Sequence, residues 1–116
     1  MIQDTLSNVF FRVYTQDDVI GVEIAGALKN IFAIGAGLVE GYGFGFNTKT
    51  AMLLRGNLEI QKFVQHYGGK MSTLNGLAGM GDLVLTAYGQ GSRNRTFGHK
   101  LAQGIFNKFS DLVLFY

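Results

Sequence analysis

The sequence predicts a mainly α-helical domain. Three observations carry that prediction. The chain of 116 residues has no proline, where average usage would give about six. Its 17 glycines fall where apolar stretches stop. Its apolar residues recur at helical rather than alternating spacing. A hydrophobic content of 47% against 16% charged residues is enough for one small packed core.

The elements follow in order. Met1 to Asn8 is polar and carries Asp4, so it lacks the apolar core of a signal peptide. Val9 to Thr15, VFFRVYT, is β-branched and aromatic and short, which predicts a strand. Asp17 and Asp18 offer an N-cap and a favourable charge for a long helix, about Asp18 to Val39, that stops at Gly41, Gly43 and Gly45. Asn47 is the expected cap of a second helix, with Met52, Leu53, Phe63, Val64 and Tyr67 on its apolar side and Gly68-Gly69 as its stop. A turn around Ser72 to Gly76 leads to a short helix begun near Asp82. Ser92 caps another that runs to Gly104. The last stretch puts Phe106, Phe109, Val113 and Tyr116 near one helical face and ends on an apolar run, as a chain cut short would.

Several function classes lose support at this stage. The net charge is +2, but the six lysines and four arginines are scattered, which argues against a nucleic-acid surface. With no cysteine there is no disulfide framework and no thiolate metal site, which suits a reducing cytoplasm. His66 and His99 lack metal-ligand company, so no metal is expected. Val19 to Val39 is apolar enough to suggest a membrane span. However, Glu23, Lys29 and Asn30 interrupt it, and its longest clean run, Ile31 to Val39, has nine residues against the roughly 20 a span requires. A buried core helix and no membrane partner are expected.

Three segments carry chemistry. Seven of the thirteen residues from Ala25 to Gly37 are Ala or Gly, at a cost of up to ~1 kcal/mol for each interior glycine. Small residues there let a backbone or a ligand approach closely. Ala25, Gly26 and Ala33 lie on the side of the helix that carries Lys29, so the lysine is expected in a small-walled pocket, with a partly dehydrated amine suited to proton transfer. Snorkelling of Lys29 to the surface is the competing reading. In GMGDLVLT, Asp82 and Thr86 share a helical face. Asp82 there either meets a substrate hydroxyl or the lysine ammonium, or simply caps the helix. In Ser92-Arg93-Asn94-Arg95, a capping serine and free first-turn N–H groups make either an anion site or a solvated basic helix start. The Gly41 to Gly45 loop follows a helix and has the wrong spacing for a dinucleotide fingerprint, and it is expected to be a helix stop and tight turn.

From about Phe11 to Gly104 these residues resemble a known family. FRVYTQDDVIGVEIAGALKNIFAIGAGLVEGYGFGFNTKTAMLLRG, then GLAGMGDLVLTAYG, then SRNRTFG are similar, in that order, to the C-terminal domain of NAD(P)-dependent glycerol-3-phosphate dehydrogenases. The resemblance implies the helical substrate domain of the 6-phosphogluconate-dehydrogenase-like type, incomplete here, with one short strand left from a missing Rossmann domain. Residues 1–16 would be that remnant or a linker strand, and residues 17–116 the truncated substrate-binding and catalytic domain. The implied reaction is reversible hydride transfer between glycerol 3-phosphate and NAD or NADP, giving dihydroxyacetone phosphate, in the supply of glycerol phosphate for phospholipids. Lys29 would be the general base and acid, with Asn30 beside it. Asp82 would lie against the substrate, with Thr86 a weaker candidate. Ser92, Arg93 and Asn94 would hold the phosphate, and Arg93 would also approach the cofactor, which the N-terminal domain mainly binds. The resemblance implies a cytoplasmic enzyme, with room for a homodimer when intact.

Some residues depart from the family pattern. Phe46 stands where the family usually has Asp, Thr50 replaces the usual alanine, and the family's later cofactor-contacting glutamate is not present. The 116 residues alone are therefore expected to lack dehydrogenase activity. Two other readings remain open: a non-catalytic helical interaction module, and a related lysine-helix dehydrogenase acting on another hydroxy acid.

Overall fold

In the computed structural model, which describes residues 2–105, six α-helices and one π-helical turn form the fold. They are α1 (Ile2–Leu6), α2 (Val19–Gly41), α3 (Phe46–His66), α4 (Met71–Leu74), α5 (Asp82–Tyr88) and α6 (Arg93–Ala102), with the π-helical turn at Leu77–Gly81. The apolar face expected at Phe106 to Tyr116 lies outside the described residues.

The long helix α2 is the axis of the molecule, with α3, α5 and α6 packed around it. Asp18 caps its N-terminus as expected, accepting from the Gly21 N–H at 2.9 Å. Its C-terminus closes through Gly43 at φ +78°, a conformation glycine adopts without steric cost. By length and composition alone α2 could cross a membrane. In this fold its neighbours are other helices, and its alanines and glycines serve close packing. A Cβ on Gly37 would collide with the backbone of Arg95 and His99, and one on Gly98 with the backbone of Ile34. The glycines of α2 and α6 thus bring two backbones together, which offsets their low helix propensity.

Two expectations about helix α3 are corrected. It begins two residues early, at Phe46, with Gly45 in the cap position, so Asn47 is not the cap. Its buried stripe is Lys49, Leu53, Gly56, Asn57, Ile60 and Val64, whereas Phe63 and Tyr67 are exposed. The positions share a face at three- and four-residue intervals. Leu53, Ile60 and Val64 join Leu74 and Leu83 in the core, where burying each such side chain is worth about 1.5–3 kcal/mol. The predicted turn around Ser72 to Gly76 includes the single helical turn of α4.

The strand expected at Val9 to Thr15 is not formed, and the described residues contain no strand. The reason lies in local competition for the backbone. The Asn8 carboxamide accepts from the N–H groups of Phe10 (2.8 Å) and Phe11 (3.0 Å), and the Asn8 N–H donates to the Phe11 carbonyl. Ser7 Oγ accepts from the Val13 N–H, and Gln3 Nε2 donates to the Val13 carbonyl. With side chains satisfying these groups and no neighbouring strand to pair with, β-propensity has nothing to act on.

Candidate functional site

The site is assembled from the middle of α2, the start of α5 and the start of α6. Lys29 stands midway along α2, and its Nζ donates to Asp82 Oδ2. Asp82 is the first residue of α5 and caps nothing: Gly81 occupies the cap position, and the carboxylate is turned to the lysine instead. The π-helical turn before it sets this direction. Gly79 lies so close to the Leu74 backbone that a side chain there would not fit, and a widened turn of this kind re-aims the residue that follows. Thr86, one turn further on, donates to the Asp82 carbonyl at 2.7 Å and lies 3.4 Å from Asp82 Oδ1.

The phosphate-type cradle also forms. Ser92 Oγ accepts from the Arg95 N–H at 3.3 Å and caps α6, leaving the earlier first-turn N–H groups at the positive end of a helix of 10 residues. Asn94 Nδ2 donates to Asn30 Oδ1 at 2.9 Å, which ties the start of α6 to the residue after Lys29. Lys29, Asn30, Thr86, Gly91, Ser92, Arg93 and Asn94 line one open cleft of about 520 Å³, wide enough for a three-carbon phosphate ester. Beside it, a more apolar cleft of about 490 Å³ runs over Val22, Gly26, Leu77 and Leu85 and reaches Asp82.

The small-walled pocket expected for Lys29 is only partly present. Ala25 and Ala33 are buried in packing, and Gly26 alone has open space before it. The lysine is held by a carboxylate rather than isolated among apolar groups; its side chain keeps 24% exposure and that of Asp82 32%, with Lys29 lining the first cleft and Asp82 the apolar one beside it. His66 packs edge-on to Tyr67 away from the cleft, and no cluster of metal-binding side chains occurs among the described residues.

Sequence reasoning missed a second charged cluster. Lys49 is 2% exposed, donates to Glu40, and sits 4.0 Å above the Tyr88 ring. Glu40 also accepts from Arg95. Partial burial works against the Glu40 carboxylate, but hydrogen bonds and charge from Lys49 and Arg95 outweigh it and hold its carboxyl below the usual glutamate value. The readable signal was a lysine in register with Leu53, Ile60 and Val64. At the other end of α2, Asp18 accepts from the Thr73 hydroxyl (2.6 Å), the Gly21 N–H and the Lys70 N–H (2.7 Å), and these hydrogen bonds hold its carboxyl below the usual aspartate value.

Comparison with known proteins gives the family and the fold. The family described as NAD-dependent glycerol-3-phosphate dehydrogenase C-terminus matches residues 18–113. A glycerol-3-phosphate dehydrogenase (NAD(P)+) of Trichlorobacter lovleyi is 54% identical over 90% of this chain and 31% of its own length. That of Halothermothrix orenii is 51% identical over 90% of this chain and 30% of its length. Among solved structures, the glycerol-3-phosphate dehydrogenase of Coxiella burnetii superposes with a TM-score of 0.89 at 43% identity, over 99% of this chain and 35% of that one. The chain spans about a third of the length of the curated relatives it matches.

Proposed function

The chain belongs to the NAD-dependent glycerol-3-phosphate dehydrogenase family, and from that premise we propose that it supplies the substrate-binding and proton-transfer side of that reaction. The observation that carries this reading is the single cleft in which Lys29, paired with Asp82, faces an anion cradle at Ser92 to Asn94. Glycerol 3-phosphate has chemistry to match both ends. Its phosphate suits the first turn of α6 and the exposed guanidinium of Arg93, and its C2 hydroxyl suits the lysine amine.

In this mechanism Lys29 Nζ takes the C2 hydroxyl proton when the alcohol is oxidised and returns it when the ketone is reduced. Asp82 orients the amine and balances its charge, and Thr86 steadies the start of α5. Asn30 and Asn94, bonded to each other, keep the lysine end and the phosphate end in fixed relation. The residues present also fit a dinucleotide: the apolar recess of Val22, Gly26, Leu77 and Leu85 beside the ion pair would accept a flat ring, and Arg93, in the lining of the other cleft, would meet its anionic groups. NAD or NADP, when bound, supplies or accepts the hydride at C2. In this reading residues 17–116 are the substrate-binding unit and residues 1–16 a linker, the intact enzyme is cytoplasmic and has room for a homodimer, and the 116 residues alone do not turn over substrate.

Calorimetric titration of the chain tests the assignment and separates it from a dehydrogenase of another hydroxy acid. Glycerol 3-phosphate should bind, inorganic phosphate more weakly, and lactate or glycerol not measurably. Equal binding of lactate and glycerol 3-phosphate would overturn the phosphate-ester reading.

A further inference from the structure

The cluster around Lys49 closes into a ring whose side chains lie outside the cleft lining but grip the turn that forms its phosphate end. Lys49 Nζ donates to Glu40 Oε1, and Glu40 Oε2 accepts from Arg95 Nη1. Arg95 Nε donates to the Gly89 carbonyl at 3.1 Å, and the Arg95 N–H donates to Ser92 Oγ. Gly89 follows Tyr88, whose ring lies 4.0 Å from Lys49 Nζ, which completes the circuit. We propose that Lys49, Glu40 and Arg95 are positioning residues for the anion-binding turn Gly89 to Asn94, holding its start through the bond from the Arg95 guanidinium to the Gly89 carbonyl.

Three features point to positioning rather than general stability. First, the Arg95 guanidinium spends one donor on Glu40 and another on the Gly89 carbonyl at the start of the turn, beside the Ser92 cap that its own backbone N–H meets. Second, Glu40 sits in the last turn of α2, where the helix dipole disfavours an acid, so its placement needs the two cations it meets. Third, two residues at the start of α3 converge on the same ring. Phe46 stacks on Tyr88 with centroids 6.5 Å apart and planes at 12°, and Thr50 Oγ1 shares a 2.9 Å hydrogen bond with the Tyr88 hydroxyl. The first turn of α3 thus holds Tyr88 by stacking, by a cation over its ring and by a hydrogen bond. Support of this kind behind a ligand-binding turn sets affinity by fixing where its donors point.

The inference rests on Ser92 to Asn94 as the phosphate end of the site, and the test separates the two. In Lys49→Met, which keeps the volume and removes the charge, the Ser92 and Arg95 amides should exchange hydrogen roughly tenfold faster relative to Leu53 and Val64 amides in α3, and glycerol 3-phosphate should bind roughly tenfold more weakly. Thr50→Ala, at an exposed position, should shift both readouts in the same direction by about threefold, and Thr50→Ser should restore them. If wild type binds glycerol 3-phosphate and these variants keep wild-type relative exchange and affinity, the positioning role is overturned while the substrate assignment stands. If wild type fails to bind but the turn's amides still accelerate, the hold on the turn is supported and the substrate assignment is overturned. Should Lys49→Met not fold, the Thr50 pair decides alone.

Discussion

The molecule contains two lysine–carboxylate pairs, and they are built for opposite ends. Lys29–Asp82 joins the middle of α2 to the start of α5; Lys29 opens to the cleft that also holds Asn30, Thr86 and Ser92 to Asn94, and Asp82 to the apolar cleft beside it. Lys49–Glu40 joins the end of α2 to the start of α3, with the lysine covered by Tyr88 and the carboxylate shared with Arg95. The first pair is short of partners and can exchange one for a substrate hydroxyl. The second is saturated and has nothing to exchange. A lysine on an apolar helix is therefore placed in chemistry or in scaffold by what surrounds its carboxylate rather than by its own burial.

The comparison breaks most visibly in stability. Removing one member of a covered pair leaves a partner short of its counter-charge, so Lys49→Met should cost about 2–4 kcal/mol, at the lower end because Glu40 keeps Arg95. Lys29→Met, at a half-open pair, should cost less than about 1 kcal/mol. Urea denaturation of the two variants measures the contrast; equal losses would remove the distinction. Next in size is the phosphate end. Arg93→Ala should weaken glycerol 3-phosphate by about 1.5–3 kcal/mol in calorimetry and leave the fold intact, since Arg93 is exposed.

Acid sharpens the comparison further. The Glu40 carboxyl is held below its ordinary value of 4.5, so its contribution to stability is complete above that pH and is lost as the pH falls through the lower folded value. Asp18, also lowered, acts in the same direction from its ordinary 3.8. Urea midpoints followed from about pH 6 to about pH 3 should fall, with a shallower slope in Glu40→Gln but not a flat one, because Asp18 remains. The smallest expected effect is Thr50→Ala, within about 1 kcal/mol in stability, since it loses one exposed hydrogen bond to Tyr88.

Much of this was legible in the sequence where local chemistry decides. The Asp18 and Ser92 caps and the glycine stop at Gly43 follow from short-range hydrogen bonding and appear as expected, with α2 running two residues past Val39 to Gly41. Lys29, Asp82, Thr86 and Ser92 to Asn94 were legible as motifs, and the fold brings all but Asp82 to one cleft, with Asp82 bonded to Lys29 from the cleft beside it. What was illegible depended on distant partners. The Val9 to Thr15 segment has β-propensity but its backbone groups are met by Gln3, Ser7 and Asn8. Ala25 and Ala33 were assigned to a pocket wall, but the same smallness that admits a ligand also lets the core close around them. Lys49 was hidden because a charged residue on a buried stripe is identified only when its counter-charge is brought to it: Glu40, which also accepts from the distant Arg95.

The central claim is that Lys29, and not Lys49, moves the proton. The direct test replaces the corresponding region of the Trichlorobacter lovleyi enzyme with residues 18–105 of this chain and measures kcat for glycerol 3-phosphate with and without Lys29→Met. The account predicts that the unsubstituted chimera turns over and that the substitution lowers kcat by about 10²–10⁴-fold with little change in melting temperature. A folded Lys29→Met chimera with near-normal kcat would contradict it.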